Sequence, residues 1–263
     1  MGKVIAVSAQ KGGILKTSMV TNLAGVFAKE GKKVLIIDTD SQSNVLLTFG
    51  KNGDKIKNTL YDVLVDGLPV RDVIINVHEN IDVVPINDDF NYFDMDVLEN
   101  REKYPNKFGL LKEAMGNIAD EYDFVIIDTP PTLGLIAGNV YTYTEQVLIP
   151  FHPEIYTVRS LVKTIQSVNN FKESNPRLKI EAIVPTKVKS VSSMHSENMY
   201  NCAQFCTLQD ILVTESYIRE TVKYSQAVSS QQKPLVLADQ DKIKGEKFIE
   251  DYVNVAKELN YIG

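Results

Sequence analysis

Apolar residues along the chain fall into two patterns. Short, largely β-branched runs at 4–7, 34–37, 81–84, 124–127, 147–149 and 180–184 are continuous or nearly so rather than alternating. Such runs predict strands whose two faces are both covered. Between several of them the spacing is helical. Met19, Val20, Leu23, Val26 and Phe27 form one stripe, closed by Gly31 at the position a helix C-cap favours, and Leu110, Leu111, Ala114, Met115, Ile118 and Ala119 form another. A last stripe, Phe248, Ile249, Tyr252, Val253, Ala256 and Leu259, predicts an amphipathic helix within 245–263. Strand and helix in alternation predict a doubly wound α/β fold: a mainly parallel sheet, right-handed crossovers, helices on both faces, and ligand groups at the carboxyl ends of the strands. The polar stretch 88–107 is expected as a surface excursion. With no repeat, low-complexity tract or linker, residues 1–263 read as a single domain.

Charge narrows the function. Against 28 Lys and Arg stand 34 Asp and Glu, a net charge of −6, which excludes a strongly basic nucleic-acid protein while leaving room for a local basic face. Two cysteines, Cys202 and Cys206, rule out a disulfide scaffold or a four-cysteine zinc site, and they share a stripe with Met199 and Ala203 that predicts burial. The apolar run at the N-terminus is too short for a signal peptide and no run is long enough to span a membrane, so a cytoplasmic protein is expected. In the final helix the polar face mixes Glu246, Lys247, Glu250, Asp251, Lys257 and Glu258, which predicts docking on the core and no membrane contact.

The chemistry sits after the first, second and fourth of these runs. Residues 4–7 run straight into Gln10, Lys11, Gly12, Gly13, Ile14, Leu15, Lys16, Thr17 and Ser18, where a helix begins. Strand, glycine loop, Lys-Thr and helix is the layout of a P-loop: backbone N–H groups of Lys11 to Ser18 wrap phosphates, Lys16 neutralises them and Thr17 is placed to ligate Mg²⁺. The usual G-x-x-x-x-G-K-[ST] pattern fails at Gln10 and Leu15. A left-handed backbone costs a leucine ~1–2 kcal/mol, so a right-handed φ is expected at Leu15. After the second strand comes Asp38, Thr39, Asp40, Ser41, Gln42, Ser43 and Asn44. The strand at 124–127 ends in Asp128, Thr129, Pro130 and Pro131, a Walker-B arrangement whose carboxylate holds Mg²⁺.

Together these segments, K-G-G-x-x-K-[ST] with Lys11 ahead of the glycines, D-x-D-x-Q-x-N from Asp38 and D-T-P-P from Asp128, resemble the ParA/MinD family of deviant Walker-A ATPases, most of all its short ParA-type DNA-partition members. The resemblance implies a P-loop NTPase fold and Mg²⁺-dependent ATP hydrolysis, weak alone and stimulated by partners. It implies that Lys11 reaches the partner's ATP across a nucleotide-sandwich homodimer, that Asp40 orients the attacking water, and that Asp38 lies near the Mg²⁺ shell. It places Pro185 and Thr186 near the adenine and Lys187, Lys189, Arg219 and Lys223 on a face that binds DNA without sequence preference. It also implies a ParB-type partner and a nucleoid-associated location. MinD-like positioning on a scaffold, a nucleotide-gated DNA-binding regulator with little turnover, and a small-molecule ligase of the same fold are the alternatives.

Overall fold

A computed structural model describes residues 2–154, 157–189 and 193–263. Along the chain, β1 (Lys3–Val7) leads through α1 (Lys16–Lys29) to β2 (Val34–Asp38) and the short α2 (Asn44–Thr48). The hairpin β3 (Ile75–His78) and β4 (Ile81–Val84) precedes α3 (Phe93–Glu99) and α4 (Leu110–Met115). Then come β5 (Phe124–Asp128), α5 (Leu135–Tyr143), β6 (Gln146–Phe151), α6 (Thr157–Asn170), β7 (Lys179–Val188) and α7 (Ser193–Thr207). The chain closes with β8 (Ile218–Arg219), α8 (Lys223–Gln231), α9 (Gln240–Ile243) and α10 (Glu246–Glu258).

The sheet runs in the order β3-β4-β2-β5-β1-β6-β7-β8, parallel except for the β3–β4 pair. Each inner strand splits its side chains between two cores. On β1, Val4 and Ala6 face a core shared with α3 to α7, while Ile5 and Val7 face one shared with α1, α2, α8, α9 and α10. That two-sided burial is the cause of the continuous apolar runs. Helix α1 ends as its sequence predicts: Gly31, at φ 73°, donates to Ala28 O and Lys32 donates to Phe27 O, the paired bonds of a Schellman cap. In α10 the stripe docks on the core: Tyr252, Ala256 and Leu259 are buried, Phe248, Ile249 and Val253 pack half-buried against it, and Val255, outside the stripe, is buried as well.

Three expectations change. The hairpin strand β3 is an edge strand of four residues, three half-exposed and Asn76 exposed, in which Ile75 and Val77 alone are apolar, too short a pattern to predict a strand. The stripe 110–119 is not one helix: α4 stops at Met115, Gly116 takes φ 49°, and a 3₁₀ turn covers Ile118–Glu121. The stretch 88–107 is partly built into the core, since Phe90, Phe93 and Val97 are buried through a 3₁₀ turn and α3.

Candidate nucleotide site

Sheet register sets the site. Asp38 pairs with Asp128 across β2 and β5, and Asp128 pairs with Val7 of β1, so the loop after β1 and both carboxylates emerge level at the carboxyl edge. β1 lies between β5 and β6 while β2 lies on the far side of β5, so the chain changes direction across the sheet here, where doubly wound folds open a crevice. Short side chains lace the three strand tips together. Thr39 donates from both its backbone N and its hydroxyl to Asp128 O (3.0 and 2.6 Å), and the Thr129 hydroxyl donates to Val7 O (2.9 Å).

The loop itself is fastened from several elements. Ser8 N donates to Leu148 O, and the Ser8 hydroxyl bonds the Tyr141 hydroxyl at 2.8 Å. Gln10 N donates to Thr164 Oγ1, the Thr186 hydroxyl to Ile14 O (3.1 Å), and Lys187 Nζ to Gly13 O (3.2 Å). Leu15 departs from expectation: its φ is 70° and ψ 29°, a left-handed backbone, as is that of Gly13 at φ 71°. The ~1–2 kcal/mol this costs a leucine is outweighed by anchorage on both sides. Ile14 is buried in the α5–α6 side core and Leu15 packs against the α1 side core. No side chain caps α1, so its first N–H groups remain open to the cavity.

A cavity of about 630 Å³ opens over this loop, lined by Gly12, Gly13, Lys16, Thr17, Asp40, Gln42, Pro131 and neighbours. Lys16 is buried with Nζ donating to Lys11 O (3.3 Å), and burial pulls its pKa below the usual lysine value against the attraction of Asp128 and Asp40. Asp38 and Asp128 are fully buried. Burial, and then the neighbouring Asp128 charge, hold the Asp38 carboxyl well above the usual range. Burial pushes Asp128 up to about 7, although the Thr17 hydroxyl, donating to its Oδ2 at 2.6 Å, counters this. Both Asp38 oxygens accept backbone N–H groups, from Asp40 and Val45. Asp128 Oδ1 is the remaining acceptor: buried and without a partner among the described residues. Two level carboxylates, an open oxygen and a threonine hydroxyl are a hard-oxygen set suited to Mg²⁺. Asp40 lines the cavity, its Oδ1 accepting from Gln42 N (3.2 Å).

Other expected residues stand elsewhere. Lys11 reaches along its own chain, with Nζ 3.2 Å from Glu154 Oε2 and 3.3 Å from Thr157 Oγ1, partners 143 and 146 residues distant that carry no local sequence signal. Pro185 and Thr186 are buried at the end of β7 and are not among the residues lining the cavity; the Thr186 hydroxyl supports the loop through Ile14 O. Arg219 is committed to Asp251 through Nε and Nη2 and stacks 5.4 Å over Phe248, and Lys189 pairs with Glu220 at 3.1 Å. Lys187 is spent on the loop. Lys223 is different: it opens α8, and the one described bond of its ammonium is to neutral Gln226 Oε1.

Comparison with known proteins agrees with this geometry. An AAA domain family matches residues 2–180. A ParA family protein of Mycoplasma genitalium is 31% identical over 97% of this chain and 96% of its own. The chromosome partitioning protein ParA of Myxococcus xanthus is 30% identical over 98% of this chain and 88% of its own. A Borrelia burgdorferi protein assigned to plasmid partition, solved with AMPPNP bound, superposes with TM-score 0.79 at 25% identity over 100% of both chains. Loop, carboxylate pair and relatives converge on one family, and this chain belongs to the ParA family of P-loop ATPases.

Proposed function

We propose that the protein is an ATP-dependent DNA-partition ATPase that cycles between a free form and an ATP-bound homodimer on DNA. The observation that carries this is the level Asp38–Asp128 pair beneath an anchored loop holding Lys11 and Lys16. In this reading the open N–H groups at the start of α1 and Lys16 would bind the phosphates, and Thr17, Asp38 and Asp128 would hold Mg²⁺, which would supply neutralisation of phosphate charge. Asp40, on the cavity wall, orients the attacking water. Lys11 leaves Glu154 to meet the second copy's nucleotide. That exchange is easy, because a half-exposed ion pair contributes at most ~1 kcal/mol.

For DNA, Lys223 is the residue that supports the reading best. A cation at a helix N-terminus faces the positive end of the dipole, and both together favour a phosphate. A homodimer doubles this small patch, which suits a chain of net charge −6 whose DNA affinity should rise only with ATP. A ParB-type partner would trigger hydrolysis and release. MinD-like action on a membrane is disfavoured because the apolar stripe of α10 is packed against the core. Retention on DNA-coated sensors, with and without ATP, tests the reading: retention should need ATP, persist with Asp40→Ala and fall with Lys223→Glu. ATP-independent retention, or none, would sink it.

A further inference from the structure

Tyr252 is a tyrosine where a phenylalanine would fill the same space. It is fully buried on α10, its ring edge-on to that of Tyr224 with centroids 5.7 Å apart. Burying a phenol hydroxyl costs free energy unless the hydroxyl is bonded. Here it lies 3.1 Å from Ser18 Oγ, with the Tyr224 hydroxyl as its other neighbour. Ser18 directly follows Thr17 in the first turn of α1 and lines the cavity over the glycine loop. A buried hydroxyl of the last helix, 234 residues distant in sequence, therefore ends on the wall of the nucleotide site.

A second residue meets the same oxygen. Asn22, also buried, accepts the Val236 backbone N–H at its Oδ1 (3.0 Å). An amide whose oxygen is claimed by a donor turns its NH₂ the other way. That group donates to Ser18 O (2.8 Å) and to Ser18 Oγ (3.3 Å). A serine hydroxyl owns one proton and two lone pairs. Asn22 takes one lone pair and Tyr252, when it donates, takes the second, so the serine proton is left for the cavity that Ser18 lines. Burial holds the Tyr252 phenol well above its ordinary pKa, which keeps its proton available to donate.

Both supports are themselves held. Asp251, next to Tyr252, accepts the Arg219 backbone N–H and its guanidinium, which ties α10 to β8. Val236 packs against α1 at Gly25, which fixes the donor that turns Asn22. Neither Tyr252 nor Asn22 is among the residues lining the cavity. We propose that Tyr252 and Asn22 are positioning residues for the nucleotide: together they hold the Ser18 hydroxyl so that its proton donates to a phosphate oxygen. The proposal rests on the nucleotide part of the reading above and is independent of DNA.

The test titrates the full chain with a fluorescent ATP analogue in Mg²⁺ buffer, for the parent, Tyr252→Phe, Ser18→Ala and the double variant. Tyr252→Phe keeps the ring and removes only the hydroxyl, so without nucleotide it should melt within about 2 °C of the parent. Its affinity should nevertheless fall by about three- to tenfold, and that of Ser18→Ala by about tenfold or more, the loss of one hydrogen bond to a charged group. The double variant should bind no worse than Ser18→Ala, because Tyr252 acts only through that hydroxyl. Parent-like affinity in Tyr252→Phe, or losses that multiply in the double variant, overturns the proposal; a packing role would shift melting and leave the two losses independent. A parent that binds no ATP analogue would remove the nucleotide reading and this proposal with it. A coupled loss in a protein that retains no DNA would refute partition and leave the role of Tyr252 standing.

Discussion

Asp128 offers the sharpest test of the site's electrostatics. Burial raises its carboxyl from 3.8 to about 7. Because the folded value lies above the unfolded one, the fold holds a proton that the unfolded chain has lost between about pH 4 and 7. The stability tied to this group is complete below pH 3.8 and is lost as the pH rises through about 7. The difference of roughly three units, at ~1.4 kcal/mol each, sets a ceiling of about 4 kcal/mol. Asp128→Asn removes the titration while keeping an oxygen to accept the Thr17 hydroxyl. In metal-free buffer at pH 8 the variant should melt higher than the parent, by up to about 8 °C at ~2 °C per kcal/mol for a chain of this size. At pH 5, about one unit above the unfolded value, the gap should shrink to roughly four-tenths of that. Millimolar Mg²⁺ at pH 8 should raise the parent more than the variant, since only the parent keeps the anionic oxygen. Differential scanning fluorimetry across pH 5–8 provides the readout. A gap that does not change with pH, or a variant less stable at pH 8, would refute the argument that a buried carboxylate waits for a cation.

Glu154→Gln should release Lys11 and increase the dimer fraction at a given ATP concentration by a few-fold, read by analytical ultracentrifugation; an unchanged fraction would mean the Lys11–Glu154 contact does not restrain the lysine. Arg219→Ala should cost about 2 kcal/mol or more of stability without nucleotide or DNA, because Asp251 is left buried and unpaired, whereas Lys223→Glu should leave melting unchanged and weaken DNA retention. Equal melting of the two variants would contradict that division. Thr186→Val keeps the shape but removes the bond to Ile14 O, so nucleotide affinity should drop about tenfold, with the fold intact by circular dichroism. Undiminished binding of a fluorescent ATP analogue would show that the loop holds its form without this support.

Much of the molecule was legible before any coordinates. Continuous β-branched runs stated that both sheet faces are covered, the 19–31 stripe gave α1 with its glycine stop, and the order of Lys11, Lys16, Asp38, Asp40 and Asp128 placed the chemistry at the strand tips. These are local properties: periodicity, capping and motif spacing act within a few residues. Tertiary structure decided the rest. Leu15 is left-handed because Ile14 and Leu15 are gripped by two cores that only the folded sheet creates. Whether a basic residue is free to meet DNA also depended on distant neighbours: Arg219 is bound by Asp251, Lys187 by Gly13 and Lys189 by Glu220, while Lys223 is held by no acid among the described residues. The same holds for Lys11 and Glu154 and for the outer side of α3, read as a polar excursion yet carrying a bare apolar edge. Sequence spacing fixes which groups the protein owns; only the packing of remote segments fixes which of them are already spent.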